Sequence, residues 1–257
     1  MHYGISTACF YPDKTEDAFL FLAESNIKHV EIFFNAYCEL SDSFLDKIIN
    51  IRNAFHMSID AIHPFSSFTE PFFLFSNYIR RFEDTRKLYE QYFKTAEKLG
   101  AKIVNLHGDK RDSALPIEEY CRRYEILFND AKNCGVMLNQ ENVANFRSYD
   151  PSFIKSMREI LGDKVSFTLD IKQCVRANVK VLDMLYAMGN KISHVHISDH
   201  KKGFDCLLPK NGNFDFNGFF NLLQRQRFNG TVMLEVYKDA YKKRQEVMDS
   251  FKAIEQM

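Results

Sequence analysis

Seven residues in this chain have the types and placement that acid–base or metal chemistry needs: Glu31, His63, His107, Glu141, Asp170, His196 and Glu235. Each stands at or near the C-terminal end of a short apolar, β-branched run, where a buried strand gains nothing from a charged group. A carboxylate costs several kcal/mol to desolvate unless it is paired or bound to metal. One such residue is readily explained as a strand-end side chain facing solvent. Seven at equivalent positions call for a cation or a polar ligand held at a common rim.

The runs that must position them number eight: 3–8, 29–34, 58–63, 102–107, 136–141, 165–170, 192–197 and 231–236. Between them lie amphipathic stretches, such as 15–26, 78–99, 117–134 and 179–188, each able to cover a strand with an apolar stripe. Gly100, Gly135 and Gly189 follow three of these stretches where a helix C-cap is expected, and Pro116 and Pro151 stand near helix starts. No Ser-, Gly- or Pro-rich linker divides the chain. Eight βα units in 257 residues predict an α/β fold, a single (β/α)8 TIM barrel spanning residues 1–257 as one domain. A doubly wound open sheet would more usually carry a Gly-rich phosphate turn after its first strand; here that place reads Cys9-Phe10-Tyr11-Pro12. The longest loops, around 64–77 and 198–213, follow the third and seventh strands and are expected as lids over the C-terminal mouth, where barrel enzymes keep their chemistry.

Composition narrows the partners. Lys plus Arg equals Asp plus Glu at 34 each, which argues against a nucleic-acid binder. There is no long uninterrupted apolar run to span a membrane, and the N-terminal residues lack a basic region followed by an apolar one, so a cytoplasmic location is expected. The six cysteines include no Cys-x-x-Cys pair, so they read as reduced thiols rather than a zinc knuckle or disulfide framework.

In order along the chain, Gly4-Ile5-Ser6-Thr7, Val30-Glu31-Ile32, Ile62-His63-Pro64-Phe65, Asn105-Leu106-His107-Gly108, Gln140-Glu141-Asn142, Thr168-Leu169-Asp170-Ile171, His194-Val195-His196-Ile197-Ser198-Asp199, Gly212-Asn213-Phe214-Asp215-Phe216 and Leu234-Glu235-Val236-Tyr237 are similar to the segments of the xylose isomerase-like superfamily of TIM barrels. That superfamily holds sugar isomerases, ketose and sugar-phosphate epimerases, and endonuclease IV. The resemblance implies one divalent metal ion held by Glu141, Asp170, His196 and Glu235. Three carboxylates and an imidazole suit Mn²⁺ best, with Zn²⁺, Mg²⁺ and Co²⁺ also compatible.

The resemblance implies a metal-dependent sugar or sugar-phosphate isomerase or epimerase, in which a proton is taken next to a carbonyl through a metal-stabilised enediolate. Glu141 and Glu235 are the expected catalytic pair. His63, His107, Lys172 and Glu31 are expected to bind substrate; Lys172 would neutralise a phosphate or carboxylate if the sixth strand continued past Asp170. Lys201, Lys202 and Lys210 stand in the loop where barrels often bind phosphate. His194 shares the face of His196 one layer deeper and reads as a supporting residue.

Two alternatives remain at this level. An endonuclease IV-like apurinic-site phosphodiesterase is opposed by Gln173, which stands where that enzyme has a metal-binding His, and by the absence of an Asp-x-His pair in 203–209. A non-catalytic sugar-binding barrel is kept open by the same Gln173. The aromatic run 64–75 reads equally as a lid and as a contact with a second subunit, which leaves a homo-oligomer open.

Overall fold

The computed structural model describes all 257 residues. Its parallel barrel strands are β1 (His2–Ser6), β2 (His29–Phe33), β3 (Ser58–His63), β4 (Ile103–Leu106), β5 (Met137–Glu141), β6 (Ser166–Asp170) and β7 (Ile192–Ile197). A short antiparallel hairpin, β8 (Asp199–Lys201) and β9 (Phe204–Leu207), fills the loop after β7, so the eighth barrel strand is β10 (Thr231–Leu234). The barrel closes in the order β1-β10-β7-β6-β5-β4-β3-β2, the single (β/α)8 architecture expected.

The outer layer is formed by α1 (Thr15–Glu24), α2 (Asp42–Ala54), α3 (Glu70–Phe73), α4 (Ile79–Leu99), α5 (Ile117–Asn133), α6 (Pro151–Leu161), α7 (Ile171–Arg176), α8 (Val181–Met188), α9 (Phe216–Arg225) and α10 (Arg244–Glu255). Gly100 ends α4 at φ +73°, ψ 13°, the left-handed conformation that lets its N–H reach back to the last helical carbonyls. Gly189 behaves differently: its ψ of −139° takes it out of that region, and it opens a 3₁₀ turn instead. Pro151 is the first residue of α6, behind an Asp150 side chain that accepts from Ser152 N. No helix is long and apolar enough to cross a membrane.

The outward faces of the strands pack Val104, Leu106, Leu138, Phe167, Leu169, Val195 and Ile197 beneath the helices, all nearly fully buried. The inward faces are polar, unlike the branched apolar layers that usually fill such barrels. Asn105 Nδ2 donates to Glu31 Oε2 at 2.9 Å, Thr168 Oγ1 donates to Asn105 Oδ1 at 2.6 Å, and Asn139 Nδ2 donates to Thr168 Oγ1 at 3.0 Å and Ser193 Oγ at 2.8 Å. Buried amides and hydroxyls are tolerated because each finds a partner. This floor supports the rim.

Candidate metal centre and mouth

Strand ends and one helix cap assemble the centre. Asp170 closes β6 and caps α7: its Oδ1 accepts from Gln173 N at 3.0 Å, which leaves Oδ2 buried without a hydrogen-bond partner. Glu141 closes β5, and Glu235 follows β10, where its N–H continues the ladder to Ile197 O at 3.1 Å. His196, in β7, has its ring fixed from below: Nε2 lies 3.1 Å from Glu31 Oε2, so the tautomer that donates there leaves the Nδ1 lone pair facing the mouth.

Around Nδ1 stand Glu235 Oε2 at 2.7 Å, Glu141 Oε1 at 3.6 Å and Asp170 Oδ2 at 3.7 Å. The 2.7 Å approach is off the line of a hydrogen bond, and His196 Nδ1, Glu235 Oε2 and Asp170 Oδ2 are all buried without one. Buried polar atoms left unpaired are costly. These three, of which Asp170 Oδ2 has only the Lys172 ammonium at 3.3 Å, converge with a further carboxylate oxygen and could hold a divalent cation, so these residues fit the metal that the resemblance implies.

Charges within the cluster are strongly perturbed. Burial pushes the Glu235 carboxyl up, but the Lys172 ammonium and His196 outweigh it and bring its pKa down to about 2. Burial likewise opposes ionisation of Glu141, and His107, His196 and His63 hold it well below the usual carboxylate range. For His196, burial disfavours the charged ring, yet Glu31 and Glu235 raise its pKa well above the ordinary imidazole value.

His63, last residue of β3, and His107, just past β4, converge beside the second oxygen of Glu141. Their Nε2 atoms are 3.0 Å apart, and they lie 3.2 and 3.5 Å from Glu141 Oε2. Phe33 stacks on His63 at 4.5 Å. Burial lowers the pKa of His63 but Glu141 more than restores it, so it is raised; that of His107 is lowered, chiefly by burial, with the charge of His63 adding to the effect.

Two residues expected at the substrate lie elsewhere. Glu31 is fully buried on the barrel floor, one oxygen taking Ser6 Oγ and the other shared by Asn105, His194 and His196, so no acceptor remains for a ligand. Lys172 belongs to α7, because the chain turns into helix directly after Asp170 rather than continuing as strand. Its ammonium is buried against Glu235 Oε1 at 2.9 Å and Asp170 Oδ2 at 3.3 Å, with the Tyr237 ring centroid 4.7 Å away.

A cavity of about 400 Å³ opens above the centre. His63, His107, Glu141, Gln173 and Glu235 form its polar side; Tyr11, Phe33, Phe34, Phe65, Phe68 and Tyr237 form most of the rest. No Lys or Arg lines it, and Lys201, Lys202 and Lys210 lie outside it. Gln173 Oε1 accepts from Ala144 N at 3.1 Å, which orients its amide at the wall.

The sequence reading missed Asn105, Asn139 and Thr168, although a signal was present. Each stands two residues before a rim residue, at His107, Glu141 and Asp170, as His194 does before His196, and a two-residue step in a strand keeps the same face. Glu70 was missed too; nothing in the polar, aromatic run around it marks it as buried.

A family model described as "Xylose isomerase-like TIM barrel" matches residues 19–257. An uncharacterised protein of Mycobacterium leprae (strain TN) is 26% identical over 262 residues, covering 91% of this chain and 88% of its own. Among solved structures, a D-tagatose 3-epimerase-like protein superposes with a TM-score of 0.81 at 19% identity, covering 100% of this chain and 96% of its own. A 3-keto-D-glucoside 4-epimerase from E. coli superposes with a TM-score of 0.79 at 15% identity, covering 100% of both chains. At these identities the structural likeness speaks for the fold.

Proposed function

The chain belongs to the xylose isomerase-like TIM barrel family, and on that premise we propose that it is a metal-dependent isomerase or epimerase of a small uncharged sugar or related polyol. The observation that carries this reading is the convergence of Glu235 Oε2, Glu141 Oε1 and Asp170 Oδ2 on His196 Nδ1, three of these four buried atoms making no hydrogen bond. The sugar epimerases among the structural neighbours support it. The uncharged substrate follows from a cavity lined by two carboxylates and no free cation, a poor place for phosphate.

A bound divalent ion, with Mn²⁺ the best match to this donor set, supplies Lewis-acid polarisation of a carbonyl and its neighbouring hydroxyl. The side chains do the rest. Glu141 and Glu235 come from strands three places apart around the barrel, so they reach a substrate carbon from different sides. Both are ionised at rest, and Glu235, kept so by Lys172, takes the proton. His63 Nε2, with its raised pKa and its 3.2 Å approach to Glu141 Oε2, supplies the proton that Glu141 delivers on the other side. His63, His107 and Gln173 meet substrate hydroxyls, and the aromatic wall excludes water.

Elemental analysis of protein purified without chelator should find close to one divalent ion per chain, with most of it lost in Glu235→Gln. The active ketose, turned over in deuterated solvent, should acquire deuterium at the carbon that changes. Full retention of the substrate hydrogen would replace this proton transfer by a hydride shift.

The close approach of His63 Nε2, His107 Nε2 and Glu141 Oε2 favours one second reading, a multi-ion hydrolytic centre acting on phosphodiesters. Two or more ions per chain, with cleavage of abasic DNA, would select it over the isomerase.

A further inference from the structure

Lys172 is the one cation buried among the donors of the centre, and both its placement and its partners are specific. It is 1% exposed, and its ammonium bridges Glu235 Oε1 at 2.9 Å and Asp170 Oδ2 at 3.3 Å under the face of Tyr237. The ring is held in turn by Arg176, whose Nη1 donates to the Tyr237 hydroxyl at 2.9 Å and whose Nε donates to Asp205 at 2.6 Å. Lys172 therefore cannot swing out to meet a ligand without breaking a buried ion pair, which is costly when the partner charge stays behind.

We infer that Lys172 is a fixed internal counter-ion of the metal centre, which loosens the hold on the ion and tunes the site to a double positive charge. This rests on the metal centre proposed above. The three ligand carboxylates, Glu141, Asp170 and Glu235, carry three negative charges, and with His196 neutral the Lys172 ammonium leaves two in direct contact with an ion, Glu31 and His63 standing behind His196 and Glu141. A divalent ion closes that local balance; a trivalent one overshoots it. The lysine also shares two carboxylates with the ion, so its repulsion is felt at short range and scales with the charge of the ion. A lysine that only propped Glu235 in place would act in the opposite direction, since losing a supporting hydrogen bond to a ligand weakens metal binding by about 10–100-fold.

Apo full-length protein and the variants Lys172→Met, Lys172→Gln and Lys172→Arg would be titrated with Mn²⁺ and with Tb³⁺ by calorimetry, and their thermal midpoints recorded without metal. Both uncharged variants should bind Mn²⁺ at least about 10-fold more tightly, and Tb³⁺ by about 30-fold, because Coulomb repulsion is one and a half times larger for the trivalent ion. Lys172→Arg, which keeps the charge, should stay near wild type. The apo midpoint of the uncharged variants should fall, since the carboxylates lose their partner. Lys172→Gln keeps a hydrogen-bond donor and carries the same expectation if Met prevents folding. Weaker or unchanged Mn²⁺ binding in the uncharged variants, or equal gains for the two ions, overturns the inference while leaving the metal centre standing. No Mn²⁺ binding by the wild type removes the centre and the inference together.

Discussion

Replacing Glu70 with Gln should remove a pH-dependent weakness from the fold. Glu70, the first residue of α3, is 1% exposed and accepts from the Tyr89 hydroxyl and Gly108 N. Burial is the main cause of a pKa raised from 4.5 to about 8, with the two hydrogen bonds opposing it only in part. The folded protein therefore holds this proton while the unfolded chain releases it, and stability falls as pH rises from about 4.5 to about 8, then levels off. Between pH 6 and pH 9 the loss amounts to roughly 2–3 kcal/mol at 1.36 kcal/mol per pH unit over the range where only the unfolded state has titrated. Gln presents the geometry of the protonated acid: its oxygen can accept from Gly108 and its amide can donate to Tyr89. Urea unfolding at pH 6 and pH 9 should show the wild type losing this much more than Glu70→Gln. Parallel losses in the two proteins, or a variant that is the less stable at pH 9, would refute a neutral buried carboxyl.

Two further outcomes test the site. Glu31→Gln should weaken Mn²⁺ binding by about 10–100-fold in calorimetry, because the carboxylate that orients His196 from below is gone although no ligand atom has changed. Glu141→Gln, assayed with metal at saturation, should lose at least about 10²-fold in turnover, the lower end for losing a general acid or base; a smaller loss would leave the proton to other groups.

The eight-stranded barrel was legible because its evidence is local and repeated: β-branched runs alternate with amphipathic stretches, and no strand limit moved by more than two residues, the larger shifts falling at the ends of β10 and of β1, which gives way to a 3₁₀ turn at Thr7. The rim residues were legible for a related reason, since a charged side chain ending an apolar strand is anomalous in sequence and in space alike. What could not be read was depth and reach. Glu31 lies in mid-strand on β2 and looks like a rim residue until the barrel shows it two imidazoles and an amide deep. Lys172 was placed by assuming that β6 continued, whereas the Asp170 side chain accepts from Gln173 N and starts a helix there. An Asp followed by three residues without Gly or Pro is a serviceable N-cap signal, and the expected strand end masked it.

The polar floor and the metal centre are parts of one arrangement. An imidazole among three carboxylates would ordinarily take up a proton and pair with them, which would leave nothing for an ion; here burial opposes the charged ring, but Glu31 and Glu235 outweigh it and raise the His196 pKa in just that way. Glu31 resolves the competition between proton and metal. It accepts the Nε2 hydrogen, so the proton that must leave when an ion arrives is the one on Nδ1, the atom facing Glu141, Asp170 and Glu235. Glu31 can stay ionised at full burial because Ser6, Asn105 and His194 all donate to it, and Asn105 is itself held by Thr168 and, through it, Asn139. The amides inside the barrel thus determine which nitrogen of His196 is free at its mouth, which is why polar residues at alternate positions of β4 to β7 belong to the chemistry although none of them lines the cavity.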